Sequence, residues 1–273
     1  LDCVVNVGRK KEMQNVMSNS FAFGGTNASI IFTKNEHEAP AQQKKSVVVT
    51  GFGTLAGAAV ELTPEGFDAR GVKLGFYRKL DRFSQMQVLS GVDALRDARF
   101  EVTAENAPMV GSIIGTADGP MAEISAFQKT VCEKGPAAGS AFSFPNTVYN
   151  AAGGHLSIFT GLKGYCATIA NGAQAGLQAV TAACDMLQNG TVDLILTSGT
   201  DETSGNIAAL YDAIGRGENL GEGSVTAILE TAEHAAARGA SAYAAVLGYA
   251  ALHEPDAYGV ETSDELLQGA LCE

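Results

Sequence analysis

The chain has 273 residues, of which 46% are apolar and 32 are glycine, with no tryptophan. Its formal net charge of −12 argues against a nucleic-acid partner and against an anionic membrane surface. Its five cysteines have neither paired nor metal-ligand spacing, and we find no signal peptide and no long apolar run. These features predict a reduced cytoplasmic protein without a metal centre.

The first 45 residues contain a glycine turn and a linker. Residues 17–32, MSNSFAFGGTNASIIF, contain a glycine pair whose plain interpretation is a turn between two strands, and residues 35–45 predict a polar linker because they are charged and lack periodicity. A strand begins again at Lys45, in KSVVVTGFGT. Its Gly-x-Gly does not indicate a dinucleotide fold, because the third glycine and the helix do not follow at the required spacing. The next helix instead begins at residues 62–65, LTPE, with proline in the first turn.

The next segment is basic and leads into a helix. Residues 67–82 hold the one basic cluster of this acidic chain: Arg70, Lys73, Arg78, Lys79 and Arg82. The cluster is consistent with a docking patch for an acidic partner and equally with a solvated loop. Apolar residues then recur at helical spacing over 81–99, a buried strand is predicted over 109–116, and a further helix over 121–131.

Residues 144–202 form the most informative unit. A helix is predicted to end near Gly161, a strand to cover 165–169, and a tight corner, ANGA, to open a second helix over 174–187. That helix is apolar almost all round, which predicts that it is buried. A residue at such a corner sits at a helix N-terminus, where free N–H groups favour negative charge.

Together these segments resemble the β-ketoacyl synthase family of the thiolase superfamily. The motifs that carry the resemblance are GLKG at 161–164, GTVD at 190–193, SGTDE at 198–202, LGEG at 220–223 and NSFAFGGTN at 19–27. The resemblance covers about residues 15–33 and 46–250. It implies an α/β protein with the thiolase-like αβαβα layered fold, mainly its N-terminal half.

The resemblance also locates the position of the family's nucleophile, and the cysteine is absent there. Nine residues after Gly164, the position falls on Ala173, with Gln174 as its neighbour; a one-residue misalignment stays open. A condensing enzyme needs a thiolate to accept the acyl chain, which an alanine methyl cannot replace. Cys166 lies seven residues upstream within the strand, where a small buried apolar residue is the better interpretation than a relocated nucleophile. The family's two catalytic histidine motifs do not occur in this sequence.

The resemblance implies roles for several other residues. The residue matching Phe23 gates the acyl pocket, and its backbone N–H completes an oxyanion hole, while Gly24 and Gly25 allow close backbone approach. Phe127 would set the depth of the acyl tunnel, although core packing is the better interpretation. Phe142 and Phe144 belong to a segment that lines the partner's pocket across the dimer axis. The basic cluster would then dock the acidic acyl carrier protein.

The order of the matched segments is unusual, because a segment that resembles the C-terminal end of a synthase precedes a segment that resembles the N-terminal part of one. We interpret residues 1–34 as a C-terminal ketosynthase segment, 35–45 as a linker and 46–273 as an N-terminal β-ketoacyl-synthase-like domain. A tandem polypeptide, a circular permutation and a fragment of a longer chain would each explain this order. The polar linker favours a tandem or a piece of one.

The function implied is that of a non-elongating, chain-length-factor-like subunit. It would pair with an active ketosynthase in type II polyketide, polyene or fatty-acid-like synthesis and shape the acyl tunnel. It would need no cofactor of its own, since the substrates are carried on the phosphopantetheine of the acyl carrier protein. A malonyl-carrier-protein decarboxylase and a dimerisation or scaffold module are the alternatives.

Overall fold

The structure is a computed structural model, and it describes residues 7–21, 27–35, 45–56, 62–217 and 220–250. The strands are β1 (Asn15–Phe21), β2 (Asn27–Thr33), β3 (Val47–Ala56), β4 (Val110–Thr116), β5 (Cys166–Ala170), β6 (Leu194–Asp201), β7 (Gly223–Thr231) and β8 (Ala244–Val246). The helices are α1 (Pro64–Asp68), α2 (Leu74–Tyr77), α3 (Arg82–Asp97), α4 (Met121–Lys134), α5 (Ala151–Thr160), α6 (Ala175–Gln188), α7 (Gly205–Ala213) and α8 (Ala232–Ala237). Short 3₁₀ turns cover Ala107–Met109, Pro136–Ala138, Phe144–Thr147 and Gly172–Gln174.

Six of the strands form one mixed sheet in the order β5-β4-β6-β7-β3-β8. β4 is parallel to both β5 and β6, whereas β7 is antiparallel to β6 and to β3. The carboxyl ends of β4, β5 and β6 therefore meet at one end of the sheet, which we call the site end.

Helices cover both faces of this sheet because its central strands are apolar on both sides. On β6, Leu194 and Leu196 pack with α3 and α5, whereas Ile195, between them, packs with α6. This alternation follows from the two-residue period of a strand, and a strand that is apolar on both faces is typical of a sheet buried between helices. The prediction of an α/β fold that corresponds mainly to one half of the thiolase-like layers is confirmed.

Local sequence patterns predicted the positions of most helices and strands. Thr63 caps α1 by accepting a hydrogen bond from the Gly66 N–H at 3.1 Å, and Pro64 is the first helical residue, as predicted. The prediction that α6 is buried holds for its inner face only, because Leu177 on its outer face is 74% exposed. β8 is short and pairs only with the first three residues of β3.

β1 and β2 form a separate antiparallel hairpin within the segment we interpret as a ketosynthase ending. The strands pair from Asn15↔Thr33 to Phe21↔Asn27. All side chains of β1 are exposed, including the apolar Met17 and Phe21. The proposed boundaries at residues 34 and 45 stay predictions.

Candidate functional site

The strand–corner–helix unit lies at the site end of the sheet. β5 ends at Ala170, which pairs with Thr116 of β4, and the turn Gly172–Gln174 leads directly into α6. Gly172 has φ +62°, a backbone conformation that favours glycine, and there the chain reverses. Ala173 is exposed on this turn. Ligands of open α/β sheets bind beyond the carboxyl ends of the strands, so residue 173 occupies an accessible position for chemistry.

Backbone packing fixes the geometry of this corner. A Cβ atom on Gly115 of β4 would lie 2.2 Å from the carbonyl oxygen of Ala175, the first residue of α6. Gly176 of α6 likewise faces Gly199 of β6, with a Cβ on Gly176 falling 3.4 Å from the Gly199 Cα. The start of α6 thus rests directly on the two neighbouring strands. The path of the turn therefore depends on these glycines and not on the side chain of residue 173.

None of the cysteines within the described ranges lies at the corner. Cys166 begins β5, four extended residues or roughly 13 Å before the end of that strand. Its sulfur accepts a hydrogen bond from the Ser112 hydroxyl at 3.4 Å. Cys184 is buried within α6, where desolvation raises its pKa to about 11, and Cys132 is exposed in the last turn of α4. The corner itself presents Ala173 and Gln174.

Two of the predicted acyl-pocket residues are brought together. The rings of Phe127 on α4 and Phe144 lie 5.7 Å apart between centroids, with an interplanar angle of 51°. This tilted arrangement is typical of aromatic pairs. Phe142, two residues before Phe144, is 63% exposed. The predicted gate, Phe23 with Gly24 and Gly25, lies outside the described residues, so the pocket as a whole stays a prediction.

A hydrogen-bonded histidine ties the Phe144 turn to the basic segment. The Asn146 side chain donates to the backbone carbonyl of Lys79 at 2.9 Å, and its carbonyl oxygen is 2.8 Å from the Nε2 atom of His155. Burial lowers the pKa of His155, which favours the neutral ring. His155 thus positions the turn. No local pattern in the sequence marks Asn146, because its partners Lys79 and His155 lie in other segments.

The basic cluster divides into structural and exposed members. Arg70 forms a two-pronged ion pair with Asp93, at 2.8 Å from Nε to Oδ1 and 2.6 Å from Nη2 to Oδ2. Arg82 pairs with Glu222, at 2.9 Å from Nε to Oε2. The remaining members, Lys73, Arg78 and Lys79, are exposed, and no ion pair holds them among the described residues. Docking by this cluster stays a prediction that now rests on these three side chains.

Buried carboxyl groups lie beside the site end and were not predicted as a feature. Glu202 directly follows β6, is 2% exposed and accepts a hydrogen bond from the Ala122 N–H at 2.8 Å, which fixes the start of α4. Burial, reinforced by the nearby Asp81 carboxyl, raises the pKa of Glu202 to about 7. Burial likewise raises the pKa of Asp81 to about 6. In the sequence, the signal for this buried carboxyl is the TDE motif at the end of β6, since Glu202 is the last residue of that motif.

The described residues set limits on other site classes. They contain no group of three or more histidine, cysteine, aspartate or glutamate side chains that could hold a metal ion. No helix in this part of the chain is both long and apolar enough to cross a membrane.

Comparison with protein families and known proteins identifies relatives of this chain. Residues 23–215 match the family described as "Beta-ketoacyl synthase, N-terminal domain". The chain is 31% identical over 275 aligned residues to 3-oxoacyl-[acyl-carrier-protein] synthase 2 of Vibrio cholerae, covering 81% of this chain and 66% of that protein. It is 29% identical over 239 residues to Nodulation protein E of Rhizobium leguminosarum bv. trifolii, covering 82% and 59%. The chain thus spans less than two thirds of the length of these relatives.

Solved structures share the fold at low sequence identity. A type II polyketide synthase complex, AntDE:AntF, of an acyl-carrier protein with its ketosynthase superposes with a TM-score of 0.68 at 21% identity, covering 78% of this chain and 70% of that one. The ishigamide ketosynthase/chain length factor gives a TM-score of 0.63 at 22% identity, covering 76% and 63%. These likenesses support the thiolase-like arrangement of the sheet and its helices.

Proposed function

The chain belongs to the β-ketoacyl synthase family, and from that premise we propose that it acts as a non-elongating, chain-length-factor-like subunit. It pairs with an active ketosynthase and shapes the tunnel that receives the growing acyl chain. The substrate is held on the phosphopantetheine of an acyl carrier protein, and the chain contributes no cofactor. The observation that carries the proposal is Ala173 at an otherwise intact nucleophile corner.

Chemistry at the corner supports this assignment. Claisen condensation begins with transfer of the acyl group to a thiolate, and an alanine side chain has no atom that can form the thioester. Cys166 starts the strand whose far end leads into the corner, so it does not substitute for that thiolate. The corner still presents backbone N–H groups at the start of α6, which suit an anionic or carbonyl group of a substrate.

Two features elsewhere in the chain support the tunnel and docking roles. The Phe127–Phe144 pair provides an apolar wall on α4 and the neighbouring 3₁₀ turn. Exposed Arg78 and Lys79 adjoin that turn through the Lys79–Asn146 hydrogen bond. A positive surface next to an apolar wall suits an acidic carrier that delivers an acyl chain. One structure with this fold is a ketosynthase/chain length factor, and a pairing of that kind is what we propose.

The proposal is tested by locating the reactive thiol in the working complex. The chain is purified with its copurifying ketosynthase and treated with cerulenin, a cysteine-directed inhibitor of condensing enzymes, and adducts are mapped by peptide mass spectrometry. We expect adducts on the partner and none on Cys166. In an Ala173→Cys variant, we expect the new thiol to react with iodoacetamide faster than the exposed Cys132, because a helix N-terminus favours the thiolate.

Two results would contradict the proposal. A cerulenin adduct on Cys166 would make this chain a condensing enzyme in its own right. Equal turnover by the partner ketosynthase with and without this chain would remove the proposed subunit role. Release of carbon dioxide from malonyl carrier protein by this chain without elongation would instead support the decarboxylase alternative.

A further inference from the structure

A pocket lies at the end of the sheet opposite to Ala173. It has a volume of about 440 Å³ and is bounded by the C-terminus of α3, the first half of β3 and residues 239–243 after α8. Polar and charged side chains dominate its lining: Arg96, Arg99, Arg238, Asp97, Thr50, Ser241 and Tyr243. A pocket of this size matches the range of small-molecule sites.

The lining is positively charged, although the chain as a whole is acidic. Asp97 is the one carboxylate in the lining, and both of its oxygens are occupied, by the Phe52 N–H at 2.8 Å and the Tyr243 hydroxyl at 3.0 Å. Arg238 is bound by the buried Glu230 at 2.9 Å from Nε to Oε2, so its charge is balanced. The Phe52 and Tyr243 donors are neutral and leave the charge of Asp97 in place, so Asp97 and the two other arginines together give the lining one net positive charge.

Those two arginines retain donors for a ligand. Arg96 uses Nη1 to donate to the carbonyl of Ala69 at 3.2 Å, and a guanidinium has five N–H donors. The Arg99 side chain is exposed and makes no hydrogen bond or ion pair within the described residues. Both residues line the pocket, and planar guanidinium groups are suited to the oxygens of a phosphate group.

The backbone at Arg99 gives a second reason to assign it a role. Arg99 follows Ala98, the C-cap of α3, and has φ +50°, the one positive φ of a non-glycine residue in the described ranges. Its N–H bonds to the Arg96 carbonyl at 3.0 Å and the Phe100 N–H bonds to the Leu95 carbonyl at 3.0 Å. This pair of bonds defines a Schellman motif, in which glycine is the usual residue at this position. Arginine here accepts backbone strain and places a guanidinium at the pocket rim.

We propose that this pocket binds a phosphate-bearing small molecule, with Arg96 and Arg99 contacting the phosphate. The volume exceeds that of an inorganic phosphate, so the remaining space accommodates an organic group of the ligand. The site is separate from the corner at Ala173 and does not depend on the proposed subunit function.

The test is calorimetric titration of the full chain with pyrophosphate and with adenosine 5′-diphosphate at low salt. We expect saturable binding that Arg99→Gln weakens by about tenfold, as loss of a charge-assisted hydrogen bond implies. Arg99→Gly removes the same charge while suiting the backbone, so it should weaken binding equally without impairing folding. Arg216→Gln, at an exposed arginine just after α7, is the matched control and should change the affinity by less than about twofold.

The titrations distinguish between support for the proposed phosphate site and its refutation. Tighter binding of the nucleotide than of pyrophosphate would support an organic phosphate as the ligand, and equal affinities would support recognition of the phosphate alone. The proposal is overturned if pyrophosphate gives no more heat than sodium chloride at equal ionic strength. It is also overturned if both Arg99 variants bind as tightly as the unaltered chain.

Discussion

The buried carboxyl of Glu202 makes the stability of this protein depend on pH in a direction opposite to that of most carboxylates. Its pKa is raised by burial from 4.5 to about 7, because the ionised form loses its water at 2% exposure. When a folded-state pKa lies above the unfolded value, the stability contribution is fully present below the unfolded pKa. It is then lost as the pH rises through the folded pKa. We therefore expect Glu202 to lower the free energy of unfolding progressively from about pH 4.5 to about pH 7.

The magnitude follows from the two pKa values. Between pH 5 and pH 8, a carboxyl with those values reduces the free energy of unfolding by about 2 to 3 kcal/mol. Glu202→Gln removes this loss, while its amide oxygen still accepts the hydrogen bond from the Ala122 N–H. As the pH rises from 5 to 8, the free energy of unfolding of the variant should therefore increase by about 2 to 3 kcal/mol relative to that of the unaltered chain. Burying the amide has a cost that does not depend on pH. That cost cancels when the free energies of unfolding at the two pH values are subtracted.

Urea denaturation followed by circular dichroism at pH 5 and pH 8 measures this change. Glu105→Gln, at an exposed position before β4, is the control for removing one negative charge from an acidic chain. At both pH values, the free energy of unfolding of Glu105→Gln should stay within about 0.5 kcal/mol of that of the unaltered protein. The difference between Glu202→Gln and the unaltered protein should instead change with pH. If Glu202→Gln shows the same pH dependence as the control, then Glu202 is ionised in the folded state without cost. The reasoning from burial would then be refuted.

Two further experiments, each with a control variant, test the buried ion pair and the basic cluster. Glu230→Gln should cost about 3 to 5 kcal/mol in urea denaturation, because Glu230 is fully buried and its arginine partner would lose its counter-charge. Glu222→Gln, in a partly exposed ion pair, should cost about 1 kcal/mol or less, and equal losses would contradict the burial argument. Joint replacement of Arg78 and Lys79 by glutamate should weaken binding of an acidic acyl carrier protein by about tenfold in calorimetry at low salt. Lys163→Glu, an exposed lysine beyond α5, should leave that affinity unchanged, and similar losses would show non-specific attraction.

The helices and strands around the site could be predicted because their end signals are local. Gly161 ends α5 with φ +81°, and Asn189 with Gly190 ends α6, as the sequence indicates. The predicted helix over 174–187 differs by one residue at each end from α6, which begins at Ala175 and ends at Gln188. Such boundaries depend on residues within one turn of the helix end.

The partners of charged residues could not be predicted, because they depend on contacts between distant segments. Arg82 meets Glu222 from 140 positions away, and only the packing of α3 against the sheet brings them together. The same limit explains α6, whose apolar sequence predicts burial without saying which face is covered. Its inner face packs on the sheet through Ala179 and Ala183, while Leu177 points outward.

The corner at Ala173 retains its shape independently of the chemistry that it lacks. Its path is set by Gly172 and by the contacts of the start of α6 with Gly115 and Gly199, none of which involves the side chain of residue 173. Because that side chain is exposed, cysteine adds one sulfur atom there without displacing a neighbour. The Ala173→Cys variant therefore separates geometry from activation. A thiol that reacts quickly with iodoacetamide but does not support elongation would place the loss of activity beyond the corner, in groups that activate the thiolate or decarboxylate the extender unit.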